Sequence, residues 1–284
     1  MSRVAYVNGR YLPHGGAMVH IEDRGYQFSD GVYEVCEVRG GRLVDQRRHL
    51  ARLVRSLTEL RIRLPMSIAA LGVVLHETIQ RNRVRDGIVY LQVTRGVARR
   101  DHAFPAGEVA PAIVVTARSL DVDGNEKTAE EGIAAITVPE NRWDRVDIKA
   151  VALLPNVLAK QAARERGAKE AWFVDRDGFV TEGSSINAWI VVGNTVVTRP
   201  ADSGILRGIT RTVLIDVIAA EGLTLDERPF TVAEALAARE AFSTAASLLV
   251  MPIVRLDDQP IGNGAPGLVA SALRRHFHRF AELS

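Results

Sequence analysis

The chain has 284 residues, 47% of them hydrophobic, and its 36 basic and 34 acidic residues give a formal net charge of +2. This length suffices for two domains of ordinary size. The charges are scattered and nearly balanced, which argues against a nucleic-acid-binding surface. No basic segment followed by an apolar one opens the sequence, and no apolar run approaches about 20 residues. We therefore expect neither export nor a membrane span.

Cys36 is the single cysteine. One cysteine excludes an intrachain disulfide and a cysteine-based zinc cluster, and it suits a reducing compartment. We expect a cytoplasmic protein that binds no metal and whose partner is a small molecule.

Turn pairs and apolar periodicity divide the first 119 residues into strands and helices. Asn8-Gly9 lies between VAYV and RYL and predicts a tight hairpin, and Gly40-Gly41 predicts a second turn. A helical stripe runs from His49 to about Ile62, and a second helix is predicted from Ser67 to Arg83. Two strand-length apolar runs, IVYLQVTRG and AIVVTARSL, complete a small α/β domain spanning 1–119.

Residues 120–128 are charged, contain glycine and lack apolar periodicity, which predicts a linker. The remaining residues, 129–284, contain three strand regions, IAAITVPE, AWFVDRDGFVTEG and SINAWIVVGNTVVTRP. Helical patterns are predicted at about 157–166, 210–220, 232–238 and 268–280. The fold class is thus α/β (α+β) with two domains, of which the larger one, 129–284, contains Lys149.

Lysine is scarce in this chain, and Lys149 differs from the other three. Lys127 lies in the charged linker, while Lys160 and Lys169 flank a polar helix face where solvated lysines are expected. Lys149 lies in VDIKAVALL among apolar neighbours, which would disfavour its charged form and expose a nucleophilic amine. From these residues alone, a buried structural lysine paired with Asp147 or another acid remains the alternative.

Three further motifs have both a chemical and an ordinary interpretation. TEGSSIN (181–187) places an acid beside a small-residue turn, which is also a common strand end. SGILRGITR (203–211) opens a helix whose free N–H groups suit a phosphate, although glycine and threonine are ordinary capping residues. VARRDHAFP (97–105) combines arginines with a histidine, either as solvated surface or as a carboxylate clamp.

The order of six motifs resembles that of the fold-type IV pyridoxal-phosphate enzymes. The motifs are RGYQFSDGVYEV, RHLARL, TRGVARRDHAFP, DIKAVALLPNVLAKQ, TEGSSINAW and SGILRGITR, and the resemblance runs from about Asp23 to Ile253. Within that branched-chain and D-amino-acid class, the sequence is most similar to the bacterial D-amino-acid transaminases. The resemblance implies a two-domain aminotransferase with pyridoxal 5'-phosphate as cofactor.

The resemblance assigns cofactor roles to residues of this chain. Lys149 corresponds to the Schiff-base lysine, which also carries the α-proton. Glu182 corresponds to the acid that pairs with the pyridine nitrogen. The cofactor phosphate would be bound by Arg52, with Ile209 and Thr210 adding donors, and Leu206 would pack against the cofactor ring.

The resemblance also assigns a substrate-binding role to three residues. Tyr33, Arg100 and His102 match the tyrosine, arginine and histidine that hold the substrate carboxylate, the latter two on a loop from the other subunit. A homodimer with shared active sites is therefore expected. The implied reaction moves the amino group of a D-amino acid such as D-alanine to a 2-oxo acid such as 2-oxoglutarate by a ping-pong mechanism.

Some residues depart from the family pattern. Ser29 replaces a common glycine, Ser184, Ser185 and Ile186 stand where a third serine is often found, and Ala245 and Ala246 replace part of a hydroxyl-rich stretch. The loss of hydroxyls at Ala245 and Ala246 could lower cofactor affinity, and side-chain specificity could also shift.

Other functions on the same fold remain open at this stage. They are transamination of branched-chain L-amino acids or (R)-amines, and the lyase reaction of 4-amino-4-deoxychorismate lyase. A cofactor-binding protein without turnover is the alternative from another class, and the joint presence of Arg52, Lys149 and Glu182 argues against it.

Overall fold

The computed structural model describes residues 3–202 and 204–284. The chain folds into two compact units. The first comprises residues 3–121, 148–152 and 282–284, and the second comprises 122–147 and 153–281. Within the described ranges, no helix combines the length and the apolar character that crossing a membrane requires.

The first unit is an antiparallel sheet packed with two long helices. Its elements are β1 (Val4–Val7), β2 (Arg10–Pro13), α1 (Arg24–Phe28), β3 (Gly31–Arg39), β4 (Arg42–Leu43), α2 (Gln46–Glu59), α3 (Ile68–Arg81), β5 (Gly87–Thr94) and β6 (Ala112–Ser119). The strand order is β2-β1-β6-β5-β3-β4. Alternate residues of β3 are buried, and Val32, Cys36 and Val38 belong to one core with the apolar faces of α2 and α3.

Local chemistry explains the ends of these elements. Asn8 and Gly9 turn between β1 and β2 with φ of 44° and 92°, as the hairpin prediction requires. Ser67 caps α3 by accepting a hydrogen bond from the N–H of Ala70 at 3.2 Å, as predicted. Helix α2 begins at Gln46, three residues before the predicted start. The prediction placed the start too late because the first turn of the helix is polar and adds nothing to the apolar stripe.

The second unit is a mixed sheet with helices. Its elements are α4 (Val122–Glu131), β7 (Ile133–Pro139), α5 (Leu154–Glu165), β8 (Glu170–Val174), β9 (Phe179–Gly183), β10 (Asn187–Val192), β11 (Thr195–Thr198), α6 (Ile209–Ala220), β12 (Thr224–Glu227), β13 (Phe230–Thr231), α7 (Val232–Ala237), β14 (Glu240–Ala245), β15 (Leu249–Leu256), β16 (Gln259–Pro260) and α8 (Leu268–His276).

The sheet of the second unit has the order β12-β11-β10-β14-β15-β7-β8-β9-β13, and β16 pairs with β15. The strand pairs β7–β8, β7–β15 and β11–β12 are parallel, and the others are antiparallel. Fully buried Trp172 and Trp189 lie in two separate apolar clusters of this unit. The C-terminal helical pattern, predicted as one helix to residue 280, ends as α8 at His276 and continues as a 3₁₀ turn over Phe277–Arg279.

Two features differ from the sequence prediction. Helix α4 occupies most of the predicted linker 120–128. Its second half is rich in the good helix formers Glu, Lys and Ala, but its single buried residue, Ala129, leaves no apolar stripe to reveal it. Lys149 and its neighbours, Ile148–Ala152, belong to the first unit and not to the unit of the residues that flank them in sequence. The predicted domain bounds of 1–119 and 129–284 stay a prediction.

Candidate active site

Lys149 lies on a short segment that is bonded to strand β3. Its carbonyl accepts a hydrogen bond from the N–H of Tyr33 at 3.0 Å, and the neighbouring Ala150 forms an antiparallel bridge with Val32. The N–H of Lys149 donates to Ser56 Oγ of α2 at 3.3 Å. A strand and a helix therefore fix the backbone from which the lysine side chain extends.

The lysine side chain contacts an aromatic ring. Lys149 Nζ lies 4.2 Å from the ring centroid of Tyr33, whose ring stacks on Tyr90 at 5.7 Å. Asp147 binds Arg145 instead, with distances of 2.9 and 3.1 Å. Across residues 3–202 and 204–284, no acidic side chain forms an ion pair with Lys149. The alternative of a structural pair with Asp147 is thus not formed.

Arg52 is held by a buried carboxylate of the same unit. Its Nε and Nη2 atoms donate to Glu34 Oε1 and Oε2, both at 2.8 Å. His49 Nδ1 lies 2.8 Å from Glu34 Oε2. Glu34 is on β3, whereas His49 and Arg52 are three residues apart on α2 and so share one helix face.

The protonation states of this cluster follow from its contacts. Burial raises the pKa of Glu34, but the charge and hydrogen bonds of Arg52 and the bond from His49 outweigh burial and hold the pKa at about 2. Burial lowers the pKa of His49. The hydrogen bond and charge of Glu34 act to raise it, but burial, together with the charges of Arg52 and Lys149, leaves the pKa below its ordinary value. His49 is therefore neutral near pH 7, and its Nδ1 carries the proton, because ionised Glu34 can only accept.

Arg100 and His102 lie in the loop between β5 and β6, and both are exposed. The ring of His102 lies 5.3 Å from that of Phe28, and the guanidinium carbon of Arg100 lies 5.0 Å from the same ring. Neither forms an ion pair with an acidic residue in the described part of the chain. Within those same residues of one chain, no hydrogen bond or ring contact joins Arg100 or His102 to Tyr33.

Glu182 is the corresponding buried carboxylate of the second unit, and it is 5% exposed. Arg142 Nη1 donates to Oε1. Asn187 Nδ2 and the N–H of Leu206 both donate to Oε2 at 3.1 Å. Donors from three separate segments therefore fix the orientation of the carboxylate.

Arg142 also binds a second acid. Its Nε donates to Glu140 Oε1 at 2.9 Å, and Thr181 Oγ1 donates to Glu140 Oε2 at 2.7 Å. Burial raises the pKa of Glu140, but the hydrogen bonds and charge of Arg142 lower it below its usual value. Burial acts to lower the pKa of Arg142, and the two glutamates raise it. One guanidinium thus serves two carboxylates, Glu140 and Glu182.

The first turn of α6 presents backbone donors. Its N-cap residue, Gly208, has no side chain to occupy the N–H groups of the following turn. Ile209 and Thr210 begin the helix, and both are buried. A Cβ at position 208 would lie 2.1 Å from Asn187 Oδ1. Only glycine therefore permits this close approach. The half-buried Leu206 accepts from Asn187 Nδ2 through its carbonyl at 2.9 Å.

The departures from the family pattern have structural counterparts. Ser29 ends α1 with a φ of 57°, in the left-handed region that favours glycine, which explains why a glycine is common there. Ser184 Oγ donates to buried Glu170 at 2.5 Å, Ser185 is exposed and Ile186 is buried. Ser203, the first residue of SGILRGITR, lies outside the described residues.

The two alanines of the hydroxyl-rich stretch lie where β14 ends: Ala245 is its last residue, and Ala246 begins the turn that follows. Ala245 and Ala246 are half-buried. The two residues before them carry hydroxyls that accept hydrogen bonds from tryptophans. Ser243 Oγ accepts from the indole N–H of Trp172 at 3.3 Å, and Thr244 Oγ1 accepts from that of Trp189 at 2.9 Å. These two hydroxyls therefore have a structural partner in the chain.

Sequence reasoning missed four residues of these clusters, namely Glu34, His49, Arg142 and Asn187. Glu34 and His49 lie inside motifs that were recognised, and an acid within the buried strand VYEVCEV was a usable signal because buried carboxylates need partners. Arg142 lies in no recognised motif and could not have been found from local pattern alone.

Comparisons with known proteins place this geometry in a family. The family model for amino-transferase class IV matches residues 31–256. A D-alanine aminotransferase of Bacillus licheniformis is 44% identical over 260 residues, which are 92% of this chain and 90% of that protein. A D-alanine aminotransferase of Staphylococcus haemolyticus is 37% identical over 98% of this chain and 97% of its own.

Solved structures share the fold. The branched-chain amino acid aminotransferase of Escherichia coli superposes with a TM-score of 0.90 at 22% identity, covering 98% of this chain and 94% of that one. A hypothetical aminotransferase from Mycobacterium tuberculosis, in its PLP-bound form, gives a TM-score of 0.84 at 22% identity over 97% of both chains. These matches confirm the predicted fold class. Together with the family model and the curated relatives, they show that the chain belongs to the class IV aminotransferases, as the order of its motifs predicts.

Proposed function

We propose that this protein is a pyridoxal-phosphate-dependent aminotransferase that moves the amino group of a D-amino acid, such as D-alanine, to a 2-oxo acid, such as 2-oxoglutarate, in a ping-pong reaction. The observation that carries the proposal is the amine of Lys149, which lies against Tyr33 and has no acidic partner among residues 3–202 and 204–284. The similarity to D-alanine aminotransferases along nearly the whole chain supports the choice of substrate.

The residues present fit pyridoxal phosphate. Arg52 and the uncapped N–H groups of Ile209 and Thr210 are donors suited to a phosphate. Glu182 is a buried acceptor suited to a protonated ring nitrogen. Leu206, which lies shortly before the N-cap residue of α6 in sequence, offers an apolar side chain. When bound, pyridoxal phosphate supplies the electron-withdrawing ring that stabilises negative charge on the substrate α-carbon.

Lys149 would provide the amine that holds the cofactor and carry the α-proton of the substrate. Ser56 and Tyr33 fix its backbone, and its amine lies against the Tyr33 ring. Glu34 and His49 would hold Arg52 in the orientation that binds phosphate, because both oxygens of Glu34 accept from the same guanidinium.

Tyr33, Arg100 and His102 would bind the substrate carboxylate. Arg100 and His102 are exposed cationic or polar groups without an acidic partner in the described chain, and so their donors remain available for a carboxylate. This pair of residues favours an amino acid as the amino donor over a simple amine.

We also propose a homodimer in which this loop completes the partner's site. Several large apolar side chains of the first unit are exposed in the single chain, among them Met18 at 77%, Ile21 at 76%, Tyr26 at 76% and Phe104 at 52%. Such a group of exposed apolar side chains is typical of a protein interface. The single cysteine supports a cytoplasmic location.

Initial rates with D-alanine, L-leucine and (R)-1-phenylethylamine, each with 2-oxoglutarate, test the proposal on the purified protein. We expect D-alanine to be the best donor, with pyruvate and glutamate formed in equal amounts. A preference for L-leucine or the amine would overturn the substrate assignment. Formation of pyruvate from aminodeoxychorismate without an acceptor would indicate a lyase, and no turnover with any donor would indicate a binding protein.

A further inference from the structure

Arg24 is a buried arginine outside the residues discussed so far, and it is 2% exposed. Its Nε donates to Asp30 Oδ2 at 2.8 Å. Its Nη1 donates to the carbonyl of Asp101 at 2.6 Å, and its Nη2 to the carbonyl of His102 at 3.4 Å. These carbonyls belong to the two peptide groups that flank His102, so one guanidinium holds both sides of that residue.

The charges around Asp30 explain why Arg24 binds backbone carbonyls. Arg95 also binds Asp30, with distances of 2.7 and 2.9 Å, so two buried guanidiniums share one carboxylate. A buried guanidinium has five N–H groups and loses free energy if they stay unpaired. Arg95 donates its remaining groups to the carbonyls of Leu60 and Arg61. Arg24 donates its remaining N–H groups to the carbonyls of Asp101 and His102 in the loop.

The loop from residue 97 to 111 contains no helix or strand, and most of its side chains are exposed. It begins after Gly96, whose φ is +99° and where a Cβ would lie 2.1 Å from the carbonyl oxygen of Ala110. Beyond Arg24, the ring of Phe28 contacts both His102 and Arg100. The position of the loop therefore depends on α1, which ends with Phe28 and begins with Arg24.

We propose that Arg24 is a positioning residue for substrate binding: through the two peptide groups around His102, it sets the place of His102 and Arg100 and so the affinity for the substrate carboxylate. This inference rests on the proposed function, in which those two side chains bind the carboxylate. Arg24 itself touches neither substrate nor cofactor in this scheme, and Asp30 fixes its orientation.

The test compares Arg24→Met with Arg274→Met in the intact cofactor-loaded protein. Arg274 is a matched control, since its buried guanidinium also donates to two carbonyls, of Leu248 and Val250, and to one carboxylate, that of Glu126. We expect Arg24→Met to raise KM for D-alanine about 10- to 100-fold, the effect of losing a hydrogen bond to a charged group. We expect kcat of Arg24→Met to change little. In Arg274→Met, we expect KM to stay unchanged.

Hydrogen exchange gives a readout that does not depend on activity. Amides of residues 99–105 should exchange faster in Arg24→Met than in the parent protein, and at the parent rate in Arg274→Met. Arg24→Lys keeps the charge without the planar fork of the guanidinium and should give an intermediate KM. If Arg24→Met does not fold, the two single variants Arg24→Lys and Phe28→Leu are used in its place.

The outcomes separate this inference from the proposed function. If Arg100→Ala and His102→Ala raise KM while Arg24→Met and Arg24→Lys do not, the positioning role is wrong and the proposed function stands. If neither Arg100→Ala nor His102→Ala changes KM in a protein that transaminates D-alanine, the carboxylate-binding role is wrong and this inference falls with it. Equal changes in KM for Arg24→Met and Arg274→Met would show a general loss of structure and overturn the positioning role.

Discussion

The two units each contain a buried carboxylate bound to an arginine, but the two clusters have opposite balances of groups. In the first, one carboxylate, Glu34, is surrounded by Arg52, His49 and the nearby Lys149. In the second, two carboxylates, Glu182 and Glu140, share Arg142. The first cluster has donors in excess, and the second has negative charge in excess.

This difference shows how two carboxylate–arginine pairs can suit ligand groups of opposite charge. A cluster with excess donors suits a phosphate, whereas a cluster with excess negative charge suits a protonated ring nitrogen. In the first cluster the carboxylate would orient the binding residue, Arg52. In the second the arginine would orient the binding residue, Glu182. In each cluster, one member of the carboxylate–arginine pair would bind the cofactor, and the other would hold that residue in place.

Removing the reactive amine is the most drastic way to test the first cluster. Lys149→Ala should lose all measurable transamination of D-alanine, because no other amine is held at that place. Pyruvate formation is the measurement. Lys127→Ala is the control, since Lys127 is exposed on α4, and it should be fully active. Full activity in Lys149→Ala would end the assignment.

Neutralising each carboxylate compares the clusters directly. Glu182→Gln should lower kcat about 100-fold with little loss of stability, the size expected for a lost charged hydrogen bond to the reacting system. Glu34→Gln should instead lower the free energy of unfolding by about 3 kcal/mol, because it leaves Arg52 buried without its counter-ion. Steady-state kinetics at saturating cofactor and urea denaturation measure both. The contrast between clusters fails if both variants change the same quantity equally.

Acid should weaken the first cluster within a defined pH range. The pKa of Glu34 falls from 4.5 to about 2 on folding. A lowered folded-state pKa means stability that is present above pH 4.5 and lost as pH falls toward 2. Its size is on the order of 3 kcal/mol.

The free energy of unfolding, measured in urea between pH 6 and pH 3, checks this sign. The difference between the parent protein and Glu34→Gln should shrink as the pH falls through that range. A difference that is constant with pH would contradict the proposed ionisation of Glu34.

The neutral partner of each carboxylate should show the smallest effects. Asn187→Ala removes one donor to Glu182 and should lower kcat only a few-fold, because a single hydrogen bond contributes about 1 kcal/mol. His49→Gln should lower the free energy of unfolding by about 1 kcal/mol and leave kcat nearly unchanged. A larger kinetic effect in His49→Gln than in Asn187→Ala would show that the first cluster acts on the reaction itself.

Local patterns predicted most strands and helices because their signals are short-range. The Asn8-Gly9 turn and the Ser67 cap depend on residues at most three positions away. Helix α4 was missed because it has one buried residue and no apolar stripe. The grouping of Ile148–Ala152 with the first unit was missed because it depends on pairing with β3, more than 100 residues earlier in the chain.

The order of motifs by itself determined the family, the candidate lysine and the loop proposed to bind the substrate carboxylate, since each is a short string with a fixed place in the sequence. Only the tertiary structure decided which side chains hold these groups: Glu34 on Arg52, Arg142 on Glu182, and Arg24 on the loop of His102. These partners lie 18, 40 and 77 residues apart. The physical reason is that a buried charge needs a partner, but the partner's identity depends on which segments the fold brings together.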